Sequence, residues 1–271
     1  MDKIKIKDLE LYCRHGVFPE ENVLGQKFLF SAILSVDTRA PGKADDLEKS
    51  VNYGELCHFI QEFMEEHTYK LLEAVLENLA EAILQKWEKI EEITLEVKKP
   101  WAPIGLPLET VSVEITRGWH TAYIALGSNM GEKETYLRNA VKELDESAGC
   151  RVEKVSDFIA TAPYGVTEQD EFLNGALKLR TLLTPEELLE LLHEIEAKAE
   201  RVRTLRWGPR TLDLDILFYD NLVLDTEELH IPHIDMQNRD FVLKPMAQIA
   251  PYMRHPVLNK TIKQLEGELH G

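Results

Sequence analysis

Residues 201–215 read RVRTLRWGPRTLDLD and constrain this chain more than any other stretch. Asp213 and Asp215 are separated by one residue, so in a strand both would point to one face while Leu212, Leu214 and Ile216 point to the core. Two adjacent carboxylates repel each other unless a cation lies between them, and oxygen ligands of this kind suit Mg²⁺. The stretch also contains four arginines, whose planar guanidinium groups bind phosphate: Arg201, Arg203, Arg206 and Arg210. The sequence therefore predicts a strand that carries a site for a metal-bound polyphosphate.

Each part of this stretch has an ordinary alternative explanation. Aspartates spaced by one residue are common, and an arginine-rich loop is usually solvated surface. The combination is more specific, since residues 207–209 (Trp-Gly-Pro) stiffen the loop between the two groups. The run RWGPRTLDLD resembles the signature of the 6-hydroxymethyl-7,8-dihydropterin pyrophosphokinase family. Those enzymes transfer a pyrophosphoryl group from ATP to a pterin alcohol.

Composition limits the classes of protein that need to be considered. The 271 residues suffice for two domains, and 44% hydrophobic with 29% charged residues is typical of a soluble globular protein. A net charge of -17 argues against nucleic acid as a partner. The chain contains no run of membrane-spanning length, and its start lacks a signal-peptide core, so we expect a cytoplasmic protein without membrane contact. The three cysteines, Cys13, Cys57 and Cys150, lie far apart in the sequence, so we predict neither a disulfide framework nor a zinc site.

The first 118 residues alternate between strand and helix patterns. Apolar alternation predicts strands over residues 4–12, 27–37, 93–98 and 111–116, and a loop at the Pro41-Gly42 and Asp45-Asp46 pairs. Helical periodicity predicts helices over residues 53–66 and 71–87. The order strand, strand, helix, helix, strand, strand predicts an antiparallel sheet with two helices on one face, an α+β layer.

Several polar motifs occur in order within this half: His15-Gly16, Glu21 with the run GQKF, Tyr53 in VNYGE, Glu73, and Lys99 in KPWAPIG. Together they resemble dihydroneopterin aldolase over residues 1–118, whose product alcohol is the acceptor of the pyrophosphokinase. The resemblance implies a tunnelling-fold domain that assembles into homo-oligomers, and pockets shared between subunits.

The resemblance also implies roles for individual residues. Lys99, Tyr53 and Glu21 would be catalytic, while Glu73 and Leu72 would bind the pterin, and neither a cofactor nor a metal would be required. From the residues alone, a lysine like Lys99 is more often a surface charge and a glutamate like Glu73 a solvated helix residue, while Tyr53 fits a core residue at a helix start equally well. The chain departs from the family at Asn52, where histidine is frequent, and at residues 104–106 (Ile-Gly-Leu), where Ile-Pro-Gly is frequent.

Residues 119–271 alternate in a second pattern after a short junction. The sequence predicts strands over residues 121–126, 152–161, 172–179 and 212–218, and a GSNMG turn at 127–131. Helices are predicted over residues 133–147, from a Thr184-Pro185 start to beyond Glu200, and from about Asp240. This alternation predicts a ferredoxin-like α+β sandwich.

The pyrophosphokinase resemblance covers nearly all of this half and assigns its residues. Pterin contacts are implied for Asn174, Phe172, Phe241, Thr161 and Tyr164; from the sequence alone, Phe172 is equally a core residue. ATP contacts are implied for Glu196, Arg203, His233 and Arg239. Arg201 and Arg210 would act in catalysis, and Asp213 and Asp215 would hold two Mg²⁺ ions, with ATP as co-substrate. Glu200 and Ile234 depart from the family pattern, which frequently has glycine and an aromatic residue there.

Three hypotheses follow from the sequence. The first is a bifunctional enzyme of folate synthesis that acts on pterins. The second is a pyrophosphokinase that carries an inactive aldolase-like assembly domain, against which the intact Lys99, Tyr53 and Glu73 argue. The third is a non-catalytic pterin- or nucleotide-binding protein, against which the Asp213–Asp215 pair argues.

Overall fold

The structure, a computed structural model, describes residues 1–162, 170–199 and 210–269. It divides into two compact units, Met1–Trp119 and His120–Gly271. Across the described part of the chain, no helix is both long and apolar enough to cross a bilayer.

The first unit is built on a four-stranded sheet. Its strands are β1 (Asp2–Cys13), β2 (Gln26–Val36), β3 (Glu92–Lys99) and β4 (Val111–Gly118), paired antiparallel in the order β1-β2-β3-β4. Alternation sets the inward face, because Ile93, Leu95 and Val97 of β3 are buried. Lys99 is the next inward position of β3, and this places a charged side chain at the edge of the core.

Two long helices cover this inward face. They are α3 (Tyr53–Glu66), which packs near β1, and α4 (Leu72–Lys86), which packs on β3 and β4. The predicted α+β layer with two helices is confirmed. Two short helices, α1 (Pro19–Leu24) and α2 (Arg39–Ala44), were not predicted. The predicted loop at Pro41-Gly42 was wrong, since Pro41 lies in the first turn of α2, where a helix tolerates a missing N–H.

The second unit has the strand–helix order of a ferredoxin-like fold. Its elements are β5 (His120–Ser128), α5 (Lys133–Glu146), β6 (Cys150–Val155), β7 (Ile159–Thr161), β8 (Phe172–Thr181), α6 (Pro185–Lys198) and β9 (Asp213–Tyr219). The main strands pair antiparallel in the order β6-β8-β5-β9, with β7 on β8. A small hairpin of β10 (Leu224–Asp225) and β11 (His230–Ile231) follows, and then α7 (Asp240–Ile249) and α8 (Ile262–Leu269). The predicted α+β sandwich is confirmed.

Both faces of this second sheet are covered. On one face Leu214 and Ile216 of β9 pack with α5 and α6, and on the other Leu217 and Phe218 pack with α7 and α8. The side chains of Asp213 and Asp215 alternate with buried neighbours, as predicted, and both remain half-buried.

Two predicted elements of this unit were wrong. Residues 152–161 form two strands instead of one, because Ser156 turns inward and its hydroxyl accepts a 2.9 Å hydrogen bond from the Ala176 N–H. Helix α6 ends at Lys198 instead of continuing past Glu200, and the Ala199 N–H donates to the Ile195 and Glu196 carbonyls.

Candidate active site

A cavity of about 270 Å³ lies at one end of the second sheet. Strands β5, β7, β8 and β9 and helix α7 all contribute to its wall. Its lining residues are Gly127, Thr161, Ala162, Phe172, Asn174, Arg210, Asp213, Asp215, His233, Arg239 and Phe241. The fold therefore brings together nine of the residues singled out in the sequence, although they are spread from residue 161 to residue 241.

One part of the wall combines an amide with aromatic rings. The Asn174 amide donates a 2.7 Å hydrogen bond to the Thr161 hydroxyl, which fixes the amide within a buried position of β8. Gly127 faces it on β5, where a Cβ would lie 3.2 Å from the Asn174 Oδ1. The absence of that Cβ leaves room beside the amide. Phe172 and Phe241 line the same cavity and provide flat apolar surface for a planar ligand.

The two carboxylates of β9 occupy another part of the wall. Asp213 lies opposite Gly127 and Asp215 opposite Ala125 in the sheet register. Asp213 also forms an ion pair with Arg210. The described residues contain no group of three or more His, Cys, Asp or Glu side chains that could enclose a metal ion. Two carboxylates that open onto a cavity are a donor set that fits Mg²⁺, which completes its shell with waters and phosphate oxygens.

His233 is a neutral histidine in this wall. Burial lowers its pKa to about 4, and the nearby Arg239 adds to the effect. Its Nδ1 accepts a 3.2 Å hydrogen bond from the Asp235 N–H, so the proton of the neutral ring is on Nε2. Arg239 is held by an ion pair with Asp235, at 2.9 Å between Nε and Oδ2. A hydrogen bond from Asn238 and the contact with Arg239 keep the pKa of Asp235 below its ordinary value.

The buried Glu196 side chain accepts a hydrogen bond from the backbone of β9. Its side chain is only 3% exposed, and Oε1 accepts a 2.8 Å hydrogen bond from the Leu214 N–H, between the two aspartates of β9. It also borders a second cavity of about 640 Å³, which shares Asp215 and His233 with the first. Glu196 thereby joins α6 to β9 at the point where the two cavities meet.

Asn129 is a residue of this site that the sequence analysis did not single out. Its side chain is fully buried, and its Oδ1 accepts a 2.7 Å hydrogen bond from the Arg210 N–H. The Asn129 N–H in turn donates to the Arg210 carbonyl at 3.1 Å. The GSNMG turn could have indicated this role, because an asparagine that is buried directly after a strand needs hydrogen-bond partners.

The first unit contains a buried ion pair. Lys99 and Glu21 are 8% and 9% exposed, and the Lys99 Nζ lies 2.5 Å from Glu21 Oε1. Burial would raise the pKa of Glu21, but hydrogen bonds from Lys99, the Phe18 N–H and the Gln26 amide together bring it below its ordinary value. Glu21 is therefore an ionised carboxylate against an ammonium group, and such a pair can hold and pass a proton.

His15 lies directly behind this pair. Its ring is fully buried, its carbonyl accepts a 3.5 Å hydrogen bond from Lys99, and its Nδ1 accepts one of 3.2 Å from the Tyr69 N–H. Burial lowers the pKa of His15 to about 4, and the charges of Lys99 and His67 contribute. The Gly16 N–H donates to the Tyr69 carbonyl, so the turn at residues 15–16 is fastened to the segment that precedes α4. His15 and Gln26 both stood in motifs that the sequence analysis quoted without assigning them a role.

Other predicted residues of this unit lie on its surface. Tyr53 is 63% exposed at the start of α3, and Glu73 is exposed in the first turn of α4. Within the described residues, no hydrogen bond or ion pair joins either side chain to Lys99 or Glu21. Leu72 is buried. Asn52, a departure from the family pattern, caps α3 through hydrogen bonds from the Gly54 and Glu55 N–H groups.

Three predicted residues, Tyr164, Arg201 and Arg203, and the departure at Glu200 lie outside the described residues. Ile234, the other departure in this half, is exposed at the border of the second cavity. Residues 104–106 are exposed in the segment after Lys99.

Comparison with known proteins gives two family matches. Residues 4–116 match the family described as dihydroneopterin aldolase. Residues 123–251 match the family described as 7,8-dihydro-6-hydroxymethylpterin-pyrophosphokinase (HPPK).

Individual proteins resemble the chain in the same two parts. The Folic acid synthesis protein FOL1 of Dictyostelium discoideum is 32% identical over 98% of this chain and 44% of its own length. The 2-amino-4-hydroxy-6-hydroxymethyldihydropteridine pyrophosphokinase of Bacillus subtilis is 52% identical over 48% of this chain and 77% of its own length. A crystal structure of E. coli dihydroneopterin aldolase in complex with neopterin matches with 27% identity and a TM-score of 0.41, over 44% of this chain and all of that one.

Nearly all of this chain (98%) aligns with FOL1, but it covers only 44% of FOL1's own length. It covers 77% of the separate Bacillus subtilis pyrophosphokinase. Residues 4–116 match the dihydroneopterin aldolase family, and the chain belongs, through its second unit, to the 7,8-dihydro-6-hydroxymethylpterin-pyrophosphokinase family.

Proposed function

We propose that the chain catalyses two consecutive reactions on one pterin. Residues 1–118 would cleave 7,8-dihydroneopterin into 6-hydroxymethyl-7,8-dihydropterin and glycolaldehyde. Residues 119–271 would then transfer a pyrophosphoryl group from ATP to the new hydroxymethyl group and release AMP. The single observation that carries the proposal is the cavity that combines aromatic surface, a fixed amide, two carboxylates and two arginines.

The aldol step would use the buried Lys99–Glu21 pair. A base takes the proton of the hydroxyl on C2′, the second side-chain carbon from the ring. The C1′–C2′ bond breaks as that oxygen becomes a carbonyl, and glycolaldehyde leaves. The electron pair passes into the ring imine, and an acid then returns a proton to the enol carbon. The ion pair supports this assignment because it places a proton donor, the Lys99 Nζ, 2.5 Å from a proton acceptor, the Glu21 Oε1. Glu73 would accept the amino and ring N–H groups of the pterin, and Tyr53 would lie near the reacting carbon.

The second step would use the cavity of the second unit. The pterin hydroxyl oxygen bonds to the β-phosphorus of ATP as its proton leaves, and the bond from that phosphorus to the bridging oxygen breaks, so AMP departs. Phe172 and Phe241 would stack on the ring, while Asn174 and Thr161, with Tyr164, would hydrogen-bond its polar edge. This arrangement aligns the hydroxyl with the phosphate chain, and alignment is a major part of catalysis in phosphoryl transfer.

Charge neutralisation would be the other part of this catalysis. Arg210 and Arg239 border the cavity. The family resemblance implies a catalytic phosphate contact for Arg201 and an ATP contact for Arg203. Neutral His233 would donate from Nε2 to the nucleotide, and Glu196 would border it from the second cavity. Asp213 and Asp215 would hold two Mg²⁺ ions, which when bound offset the charge of the phosphate oxygens. Loss of one such stabilising group commonly costs about 10²–10³ in rate.

The test uses the whole chain and two incubations. Dihydroneopterin without nucleotide or metal should yield glycolaldehyde, and addition of Mg-ATP should then yield AMP at the same molar amount as pyrophosphorylated pterin. If AMP forms from added hydroxymethylpterin but glycolaldehyde never does, the first unit is an assembly domain without aldolase activity. If neither product forms while pterin still binds, the protein is a binding protein.

A further inference from the structure

Arg210 is fixed at its backbone and exposed to the cavity at its side chain. Its N–H donates to the Asn129 Oδ1 at 2.7 Å and its carbonyl accepts from the Asn129 N–H at 3.1 Å. Asn129 is fully buried, so this two-point attachment is shielded from water. The attachment restricts movement at Arg210 to rotation of its long side chain.

The guanidinium group of Arg210 lies on a carboxylate that the proposed metal site requires. It forms an ion pair with Asp213, and the two side chains are 27% and 21% exposed. A guanidinium and a divalent cation on the same carboxylate would repel each other, so either one weakens binding of the other. Arg210 and Asp213 line the same cavity, so a guanidinium group displaced by a cation would stay within reach of a phosphate ligand bound there.

We propose that Arg210 acts as an internal counter-cation. It neutralises Asp213 while the site lacks metal, competes with a divalent cation for that carboxylate, and is released towards the phosphate groups when the cation binds. This inference rests on the metal site of the proposed function. It goes further by stating that metal affinity is set in part by an arginine, which couples metal binding to the placement of a phosphate ligand.

Arg239 provides the matched control. It lines the same cavity and also carries an ion pair, but its partner is Asp235, which is outside the proposed metal pair. Both arginines add one positive charge near the aspartates. Removal of either should therefore have the same general electrostatic effect, and only removal of Arg210 should take away the guanidinium partner recorded for a proposed metal-binding carboxylate.

The test measures binding of Mn²⁺ alone to the whole chain by electron paramagnetic resonance of the free ion, without nucleotide or pterin. Arg210→Gln should tighten Mn²⁺ binding roughly three- to tenfold, the scale of a part-buried ion pair. Arg239→Gln should change it by less than about twofold. Arg210→Lys keeps the charge, so its Mn²⁺ binding should stay close to that of the wild type. That result would show that substitution at this position leaves the site folded.

Two results would overturn the inference: unchanged or weaker Mn²⁺ binding by Arg210→Gln, or equal tightening by both Gln variants. Asp213→Asn separates this failure from failure of the metal site. If Asp213→Asn weakens Mn²⁺ binding, the metal site stands even where the competition does not. If Asp213→Asn leaves binding unchanged, the metal assignment and the inference both fall.

Discussion

At the residue scale, the Lys99–Glu21 ion pair is the feature that burial makes most sensitive to substitution. Each charge is about nine-tenths buried, and each compensates the other. Removal of one partner leaves a buried charge without compensation, whereas removal of both does not. The thermodynamic and catalytic roles of the pair can therefore be separated.

We expect Lys99→Met to destabilise the first unit by about 3 kcal/mol, the usual cost of breaking a buried pair. The double variant Lys99→Met with Glu21→Gln should recover most of that loss, although it should still lack aldolase activity. Urea unfolding, monitored by tryptophan fluorescence, measures the free energy of unfolding of the first unit. Three of the four tryptophans lie in that unit: Trp87, Trp101 and Trp119. Additive losses in the double variant would contradict the account.

His15 gives the first unit a pH-dependent stability. The pKa of its buried ring is about 4, against 6.5 for the ordinary value. Between these values the unfolded chain binds a proton that the folded chain does not, so acid favours unfolding. Neutral His15 contributes about 3 kcal/mol to the free energy of unfolding. This contribution is fully present above pH 6.5 and is lost as the pH falls towards 4.

Urea unfolding of the first unit at pH 7 and at pH 4.5 should detect this loss. In His15→Leu the difference between the two pH values should shrink, because the titrating ring is absent. His58 is exposed on α3, and His58→Gln provides the control, which should behave as wild type. An unaltered pH difference in His15→Leu would show that other groups cause it.

At the scale of elements, the turn between β1 and α1 determines where Glu21 lies. A Cβ at Gly16 would come within 2.3–2.7 Å of the Glu21 carboxylate, and the residue has a φ of 154°. Glycine is required here because no other residue leaves space for the carboxylate to reach Lys99.

Gly16→Ala should therefore displace Glu21 and lower aldolase turnover by about 10²-fold, the scale of a lost acid–base group. The pyrophosphokinase reaction should not change. Gly42→Ala is the matched control, since a Cβ there meets no atom within 4 Å. Aldolase activity within twofold of wild type in Gly16→Ala would refute the close-contact explanation.

The sequence predicted elements well where periodicity was strong. The bounds of α3 were predicted at residues 53–66, and the alternation of Asp213 and Asp215 with buried neighbours was correct. Periodicity could not reveal the break at Ser156, because that break depends on a hydrogen bond to Ala176 on another strand. Lys99 and Glu21 were assigned through the family resemblance. Their 2.5 Å contact could not be predicted for the same reason, because it joins residues from different elements of the fold.

At the scale of the whole molecule, the exposed apolar residues of the first unit support the proposed homo-oligomer. Val23 and Leu24 are 74% and 72% exposed, and Tyr53 and Leu71 are 63% and 55% exposed. Exposed apolar residues that form a contiguous patch mark an interface, and the homo-oligomer implied by the family resemblance would require such a subunit contact. A neighbouring subunit would also explain how exposed Tyr53 and Glu73 could meet a Lys99–Glu21 pair.

Dilution should therefore affect the two reactions differently. If the aldolase pocket needs residues from two chains, its specific activity should fall as the oligomer dissociates, while pyrophosphokinase activity per chain stays constant. Sedimentation velocity at the same concentrations provides the independent measure of assembly. Loss of both activities in parallel, or constant aldolase activity in a proven monomer, would contradict a shared pocket.

The proposed function requires two chemically separate sites on one chain that act on successive forms of one pterin. The most direct measurement is a paired assay of glycolaldehyde and AMP in Lys99→Ala and Asp215→Ala. Lys99→Ala should lose glycolaldehyde release and still form AMP from added hydroxymethylpterin. Asp215→Ala should release glycolaldehyde at the wild-type rate and form no AMP. Loss of both products in either folded variant would contradict the claim.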